Sequence, residues 1–124
     1  MAFEALSSKE KDIVLRCMKA TTAYVDDCEK HSRLGLEPQE LQCVLDAWPN
    51  IDDTMEDSAE FLAVNNSLNE VCHGFRIAPD EWGKWFDAPK SEIEAVYRKW
   101  LGIRNISGGI LTSGNANPSS KGKI

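Results

Sequence analysis

The residues of this chain best equipped for chemistry are its four cysteines and two histidines. Cys28 and His31 stand one helical turn apart, and Cys72 and His73 are adjacent. Two thiolates and two imidazoles form an acceptable tetrahedral zinc set. A thiolate beside an imidazole is also the pairing found at nucleophilic cysteines. The spacing favours neither. Neighbouring residues on a helix point about 100° apart, so Cys72 and His73 chelate one ion only where a helix ends between them. The chain has no C-x-x-C pair, no H-E-x-x-H, no G-x-S-x-G and no phosphate loop. Gly108-Gly109 has no helix after it to bind phosphate. Both histidines fall near the ends of expected helices, where the dipole stabilises an imidazolium. A small metal-dependent or thiol enzyme using Cys28, His31, Cys72 and His73 is therefore the alternative reading. No cofactor is expected.

The carboxylates carry a clearer message, because they are unevenly distributed. The 124 residues hold 14 Lys and Arg against 20 Asp and Glu, for a net charge of −6. Residues 1–33 carry six bases and six acids. Between Arg33 and Arg76 there is neither Lys nor Arg, while nine acids accumulate. Residues 98–124 carry five bases and no acid. One reading of the acidic stretch is a solvated face that keeps the protein soluble. The other is a docking surface whose field steers a basic partner and excludes wrong ones. On the second reading the contact residues are Glu37, Glu40, Asp52, Asp53, Glu56, Asp57 and Glu60. Asp52-Asp53-x-x-Glu56-Asp57 sits where a helix N-terminus is expected, and the dipole favours carboxylates there. It lacks the alternating ligands, the glycine and the terminal glutamate of a calcium loop. Leu34-Gly35-Leu36-x-Pro38 and the helix after it resemble half of a helix-turn-helix. That helix carries Glu37, Glu40 and Asp46 and no base, which argues against nucleic-acid binding.

These residues must be positioned by helices. The apolar and small residues Ile13, Val14, Cys17, Met18, Thr21, Tyr24, Val25 and Cys28 fall within an arc of about 140°, predicting one amphipathic helix over 7–30. Ser7 and Glu10 fit a capping box at its start. Gly35 breaks the pattern. Pro38 suits a first helical turn, and Leu41, Val44, Leu45 and Trp48 form a stripe that Pro49 ends. A third helix is expected over about 56–72, before Gly74. A short fourth lies over 79–86, and a last one runs from Pro89 to Gly102. No segment alternates for long enough to read as a strand.

Glu40-Leu41-x-x-Val44-Leu45-x-x-Trp48 is echoed position for position by Glu92-Ile93-x-x-Val96-Tyr97-x-x-Trp100. Helical periodicity alone fixes most of that spacing, and it makes both tryptophans core anchors. Asn65, Asn66 and Asn69 interrupt the third helix with mediocre helix formers. Buried, they would hydrogen-bond a loop backbone, such as that around Pro49; exposed, they would meet a ligand. The first reading is the simpler.

Asp12-Ile13-Val14-Leu15-Arg16-Cys17, Leu34-Gly35-Leu36, Ala47-Trp48-Pro49 and Val64-Asn65-Asn66-Ser67-Leu68-Asn69 together resemble a group of small bacterial helical proteins. The resemblance spans about residues 8–101. It implies a bacterial setting and a standalone domain, and it transfers no functional residue.

The expectation is an all-α protein: one bundle of four or five helices over residues 1–102, then a flexible basic tail over 103–124. No apolar run approaches the roughly 20 residues of a membrane span, and the first residues lack the pattern of a signal peptide. With cysteines unmatched to a disulfide framework, a cytoplasmic setting without membrane contact is expected. The function expected is noncatalytic protein binding: an acidic adaptor or inhibitor, immunity- or antitoxin-like, that occludes a basic partner. A structural subunit of a larger assembly is a further alternative.

Overall fold

A computed structural model describes residues 3–107 of the chain, and it is all-helical. After a short 3₁₀ turn at Phe3–Ala5 come α1 (Ser8–Tyr24), α2 (Asp27–Leu34), α3 (Pro38–Asp46), α4 (Ala59–His73), α5 (Pro79–Trp85) and α6 (Lys90–Ser107). α1 and α4 form the central packed pair, and α3 and α6 both lie against α4. Their shared seam buries Ile13, Val14, Cys17 and Met18 of α1 against Val64, Leu68 and Val71 of α4. Leu41 and Val44 of α3 and Ile93, Val96 and Trp100 of α6 complete the core. Leu15, off the expected stripe, is half-buried at its edge.

The start of α1 is as its sequence implies. The Ser7 hydroxyl accepts from Glu10 N at 3.1 Å, and Glu10 Oε1 accepts from Ser7 N at 2.8 Å. Two backbone donors that the helix itself cannot satisfy are thereby paired. Lys99 of α6 also donates to Glu10, at 2.8 Å, and these contacts hold the carboxyl below its ordinary value, the Lys99 bond most strongly.

The single helix expected over 7–30 is two helices. α1 stops at Tyr24, Val25 and Asp26 turn extended, and α2 restarts at Asp27. The physical reason is Lys30, placed by periodicity on the wet side but only 2% exposed. Its ammonium donates to Thr22 O at 3.1 Å, Val25 O at 2.6 Å and Asp27 Oδ1 at 2.7 Å. A cation at the carbonyl end of α1 complements the helix dipole and occupies acceptors that α1 leaves open. The break also turns Cys28 outward, so it is exposed rather than part of the apolar stripe.

Gly35 ends α2 with φ +71°, a conformation that a side chain disfavours. The Leu34 carbonyl beside it is satisfied from α4, where Asn66 Nδ2 donates to it at 2.6 Å. Asn65 Nδ2 donates to Asn66 Oδ1 at 2.9 Å, and the Tyr97 hydroxyl donates to Asn65 Oδ1 at 3.0 Å. Two of the three mid-helix asparagines therefore join α2, α4 and α6. The backbone they hold is the end of α2, not the loop at Pro49, and Asn69 is exposed.

The echo between α3 and α6 holds for its buried positions and fails at its last one. Trp100 is fully buried, whereas Trp48 lies beyond the end of α3, in a turn with a cis Trp48–Pro49 peptide. It is half-buried and packs edge-on against Phe3 at 5.2 Å. Gly102 does not end the last helix, which continues to Ser107. The helix end expected at Gly102 is corrected accordingly. Of the flexible tail expected over 103–124, residues 108–124 lie outside the described residues.

Candidate functional site

α3 and α4 set out the acidic stretch. Their connection, residues 47–58, folds back so that the first turn of α4 approaches the flank of α3. Ser58 caps α4, its hydroxyl accepting from Phe61 N at 3.1 Å, and it is itself tied to Met55 O at 2.8 Å. Between the helices lies a shallow groove of about 250 Å³, with Val44, Ala47 and Ala59 as its apolar lining. Glu40 of α3 and Glu60 of α4 both line it, together with Cys43. Met55, on the loop that leads into this groove, is 64% exposed and is the one large apolar side chain so exposed among the described residues.

Glu37, Glu40, Asp52, Glu56 and Asp57 are exposed, and Glu60 is partly so. Glu40 Oε1 also accepts from Glu37 N at 2.8 Å, which fixes the start of α3. Asp52 accepts from the Thr54 hydroxyl at 2.6 Å and from Thr54 N at 3.1 Å. Those bonds, the hydroxyl first, hold its carboxyl below the ordinary aspartate range.

Asp53 belongs to none of this surface. It is fully buried, and its Oδ2 accepts from Phe3 N at 2.9 Å and from the Trp100 indole at 2.7 Å. The carboxyl ties the N-terminal turn, the α3–α4 loop and α6 together. As a contact residue it is withdrawn, because a partner cannot reach it.

The ion pairs show why the acidic face keeps its charge. Lys9 pairs with Glu92, Arg16 with Asp12, Lys30 with Asp27 and Lys99 with Glu10, all outside the acidic stretch. Within it, Glu70 is buried against Arg33, and Glu37 meets His31 at 3.5 Å. Among the described residues, Glu40, Asp52, Glu56, Asp57 and Glu60 enter no ion pair. Asp46 lies on the other flank of α3, where it shares a hollow with Lys19 of α1.

The cysteine and histidine set is dispersed. Cys28 and His31 are exposed on α2, His73 is exposed at the end of α4, and Cys72 is buried. Among the described residues, no three His, Cys, Asp or Glu groups are arranged to hold a metal ion. Burial pushes the Cys17 thiol well up and raises Cys72 to about 11. An activated nucleophile needs the opposite shift. Among the described residues, Cys28, His31, Cys72 and His73 are therefore not gathered into one metal-binding group.

Among the described residues, no helix is long and apolar enough to cross a membrane. No family model matches the chain, and no curated protein or solved structure matches it either.

Proposed function

We propose that the protein is a noncatalytic binding factor that covers a basic surface on a partner protein, acting as an adaptor or as an immunity- or antitoxin-like inhibitor. The observation that carries this reading is the coincidence, at one end of α4, of carboxylates that enter no ion pair among the described residues with accessible apolar atoms. Glu40, Glu56, Asp57 and Glu60 supply a negative field that steers a cationic partner. Met55 and the α3–α4 groove supply short-range contact, and a thioether on a flexible stem adapts to varied surfaces. Steering without an apolar anchor gives encounter but little residence, so the combination matters. The mechanism is occlusion, and it requires no bond to break.

The test is affinity capture from native host extract. Wild-type bait is compared with Glu40→Gln/Glu56→Gln/Asp57→Asn/Glu60→Gln bait at about 0.05 M and about 0.5 M salt, which span strong to weak screening. The expected result is a basic protein retained by wild type at low salt, released at high salt and absent from the variant. Equal retention by the variant, or retention indifferent to salt, overturns the proposal.

A further inference from the structure

The opposite end of α4 has the opposite character. A cleft of about 590 Å³ opens where α4 ends and the chain crosses to α5 and α6. That volume lies within the range of small-molecule sites. Val71, Phe75, Ile77 and Trp82 form its apolar wall. His73, Arg76 and Lys90 also line it, all three exposed, and no carboxylate does. In a chain with 20 acids against 14 Lys and Arg, a cleft whose charged lining residues are Arg76 and Lys90 reverses the overall charge. Among the described residues, none of the three enters an ion pair. Near Cys72, in the floor, the charged neighbours are Glu94 opposed by Lys90 and Arg98.

The walls are fixed before any ligand arrives. The Trp82 indole donates to Ala88 O at 2.7 Å, and its ring packs on Phe86 at 4.6 Å. Phe75 stacks on Tyr24 at 5.2 Å, and the Tyr24 hydroxyl donates to Glu81 of α5. Gly74 lets the backbone turn directly over Glu70, where a Cβ would run into the Glu70 side chain and backbone. α6 begins at the cleft, with Pro89 and Lys90, so the positive end of its dipole adds to the cationic groups.

We propose that this cleft binds a small aromatic carboxylate, its ring against Trp82 and Ile77 and its anionic group held by Arg76 and Lys90. The charge selects the anion, and the aromatic and aliphatic wall selects a flat apolar body. The two ends of α4 are about 20 Å apart along a 15-residue helix. The cleft therefore shares no lining residue with the acidic groove, and the two proposals stand or fall separately.

The test is calorimetric titration of the full chain with naphthalene-2-carboxylate and with uncharged naphthalene-2-carboxamide. Saturable binding of the carboxylate is expected, with the carboxamide weaker by about tenfold or more. Arg76→Gln/Lys90→Gln should bring the carboxylate down to the carboxamide's level with an unchanged circular dichroism melt. Both side chains are exposed, so folding is expected to survive. Glu40→Gln/Glu60→Gln should leave binding unchanged. Absence of saturable binding, equal affinity for both probes, or an unaffected double variant overturns the proposal. If the cleft instead holds the acidic loop of a second copy, sedimentation shows dimers that Arg76→Gln/Lys90→Gln does not form. That outcome also overturns it.

Discussion

At the scale of single residues, the division between Asp52 and Asp53 is the most consequential. Adjacent and chemically alike, one is exposed in a local turn with Thr54 and the other is fully buried under Trp100. Asp53→Ala takes the acceptor away from Phe3 N and the Trp100 indole, and a buried donor left without its acceptor costs about 1–3 kcal/mol. A loss of about 3 kcal/mol is expected by urea denaturation, with Asp53→Asn, which keeps an acceptor oxygen, costing about 1 kcal/mol. If Asp53→Ala were as stable as wild type, the assignment of Asp53 to the interior would be wrong. The thiols divide in the same way. Cys28 and Cys43 are exposed, and Cys17 and Cys72 are buried with raised values. Brief alkylation of the folded protein, read by peptide mass spectrometry, should label the first two and spare the second two. Rapid labelling of Cys17 would contradict the packing of α1 on α4. Sequence alone could not separate either pair, because burial of one neighbour and exposure of the next is decided by contacts from distant elements.

At the scale of elements, legibility followed locality. The Ser7–Glu10 cap and the starts of α3 and α5 at Pro38 and Pro79 are settled within a few residues, and they were readable. The division of α1 from α2 was not. It depends on Lys30 reaching back to carbonyls five and eight residues earlier, and a lysine is ordinarily counted as surface. Trp48 and Trp100 likewise looked equivalent, yet only α6 runs long enough to carry its tryptophan into the centre. The α1 cap yields a pH prediction. Glu10 lies below its ordinary value of 4.5 in the folded state, so it contributes stability above that value and loses it as pH falls through the lower folded value. Glu10→Gln should lower the thermal midpoint at pH 7, consistent with a cap worth about 1 kcal/mol. The difference from wild type should shrink steadily below about pH 4.5. A gap that stays constant to pH 3 would show that the Glu10 charge contributes nothing.

At the scale of the whole molecule, charge is polarised along α4. Among the described residues, carboxylates outside any ion pair gather where it begins, and a cleft lined by Arg76 and Lys90 opens where it ends. The sequence disclosed the first half of that pattern, because a long run without bases is visible in one dimension. It did not disclose the second. His73, Arg76, Trp82 and Lys90 all fall within residues 71–90, but the path from α4 through α5 to α6 that brings them round one cleft is not written in their spacing. Met55 was also passed over, since a single methionine among acids has no periodic partner to mark it. Its 64% exposure places an apolar side chain on the loop beside the acidic groove.

The most direct measurement of the central claim is a two-dimensional NMR titration with a short peptide of alternating lysine and leucine. If α3 and the start of α4 form one anionic docking face with an apolar anchor, perturbed amides will cluster at Glu40, Cys43, Met55 and Glu60. They will recover in high salt and be absent from Glu40→Gln/Glu56→Gln/Asp57→Asn/Glu60→Gln. Perturbations scattered over α1, α5 and α6, or a response that survives neutralisation of the four carboxylates, would contradict the account.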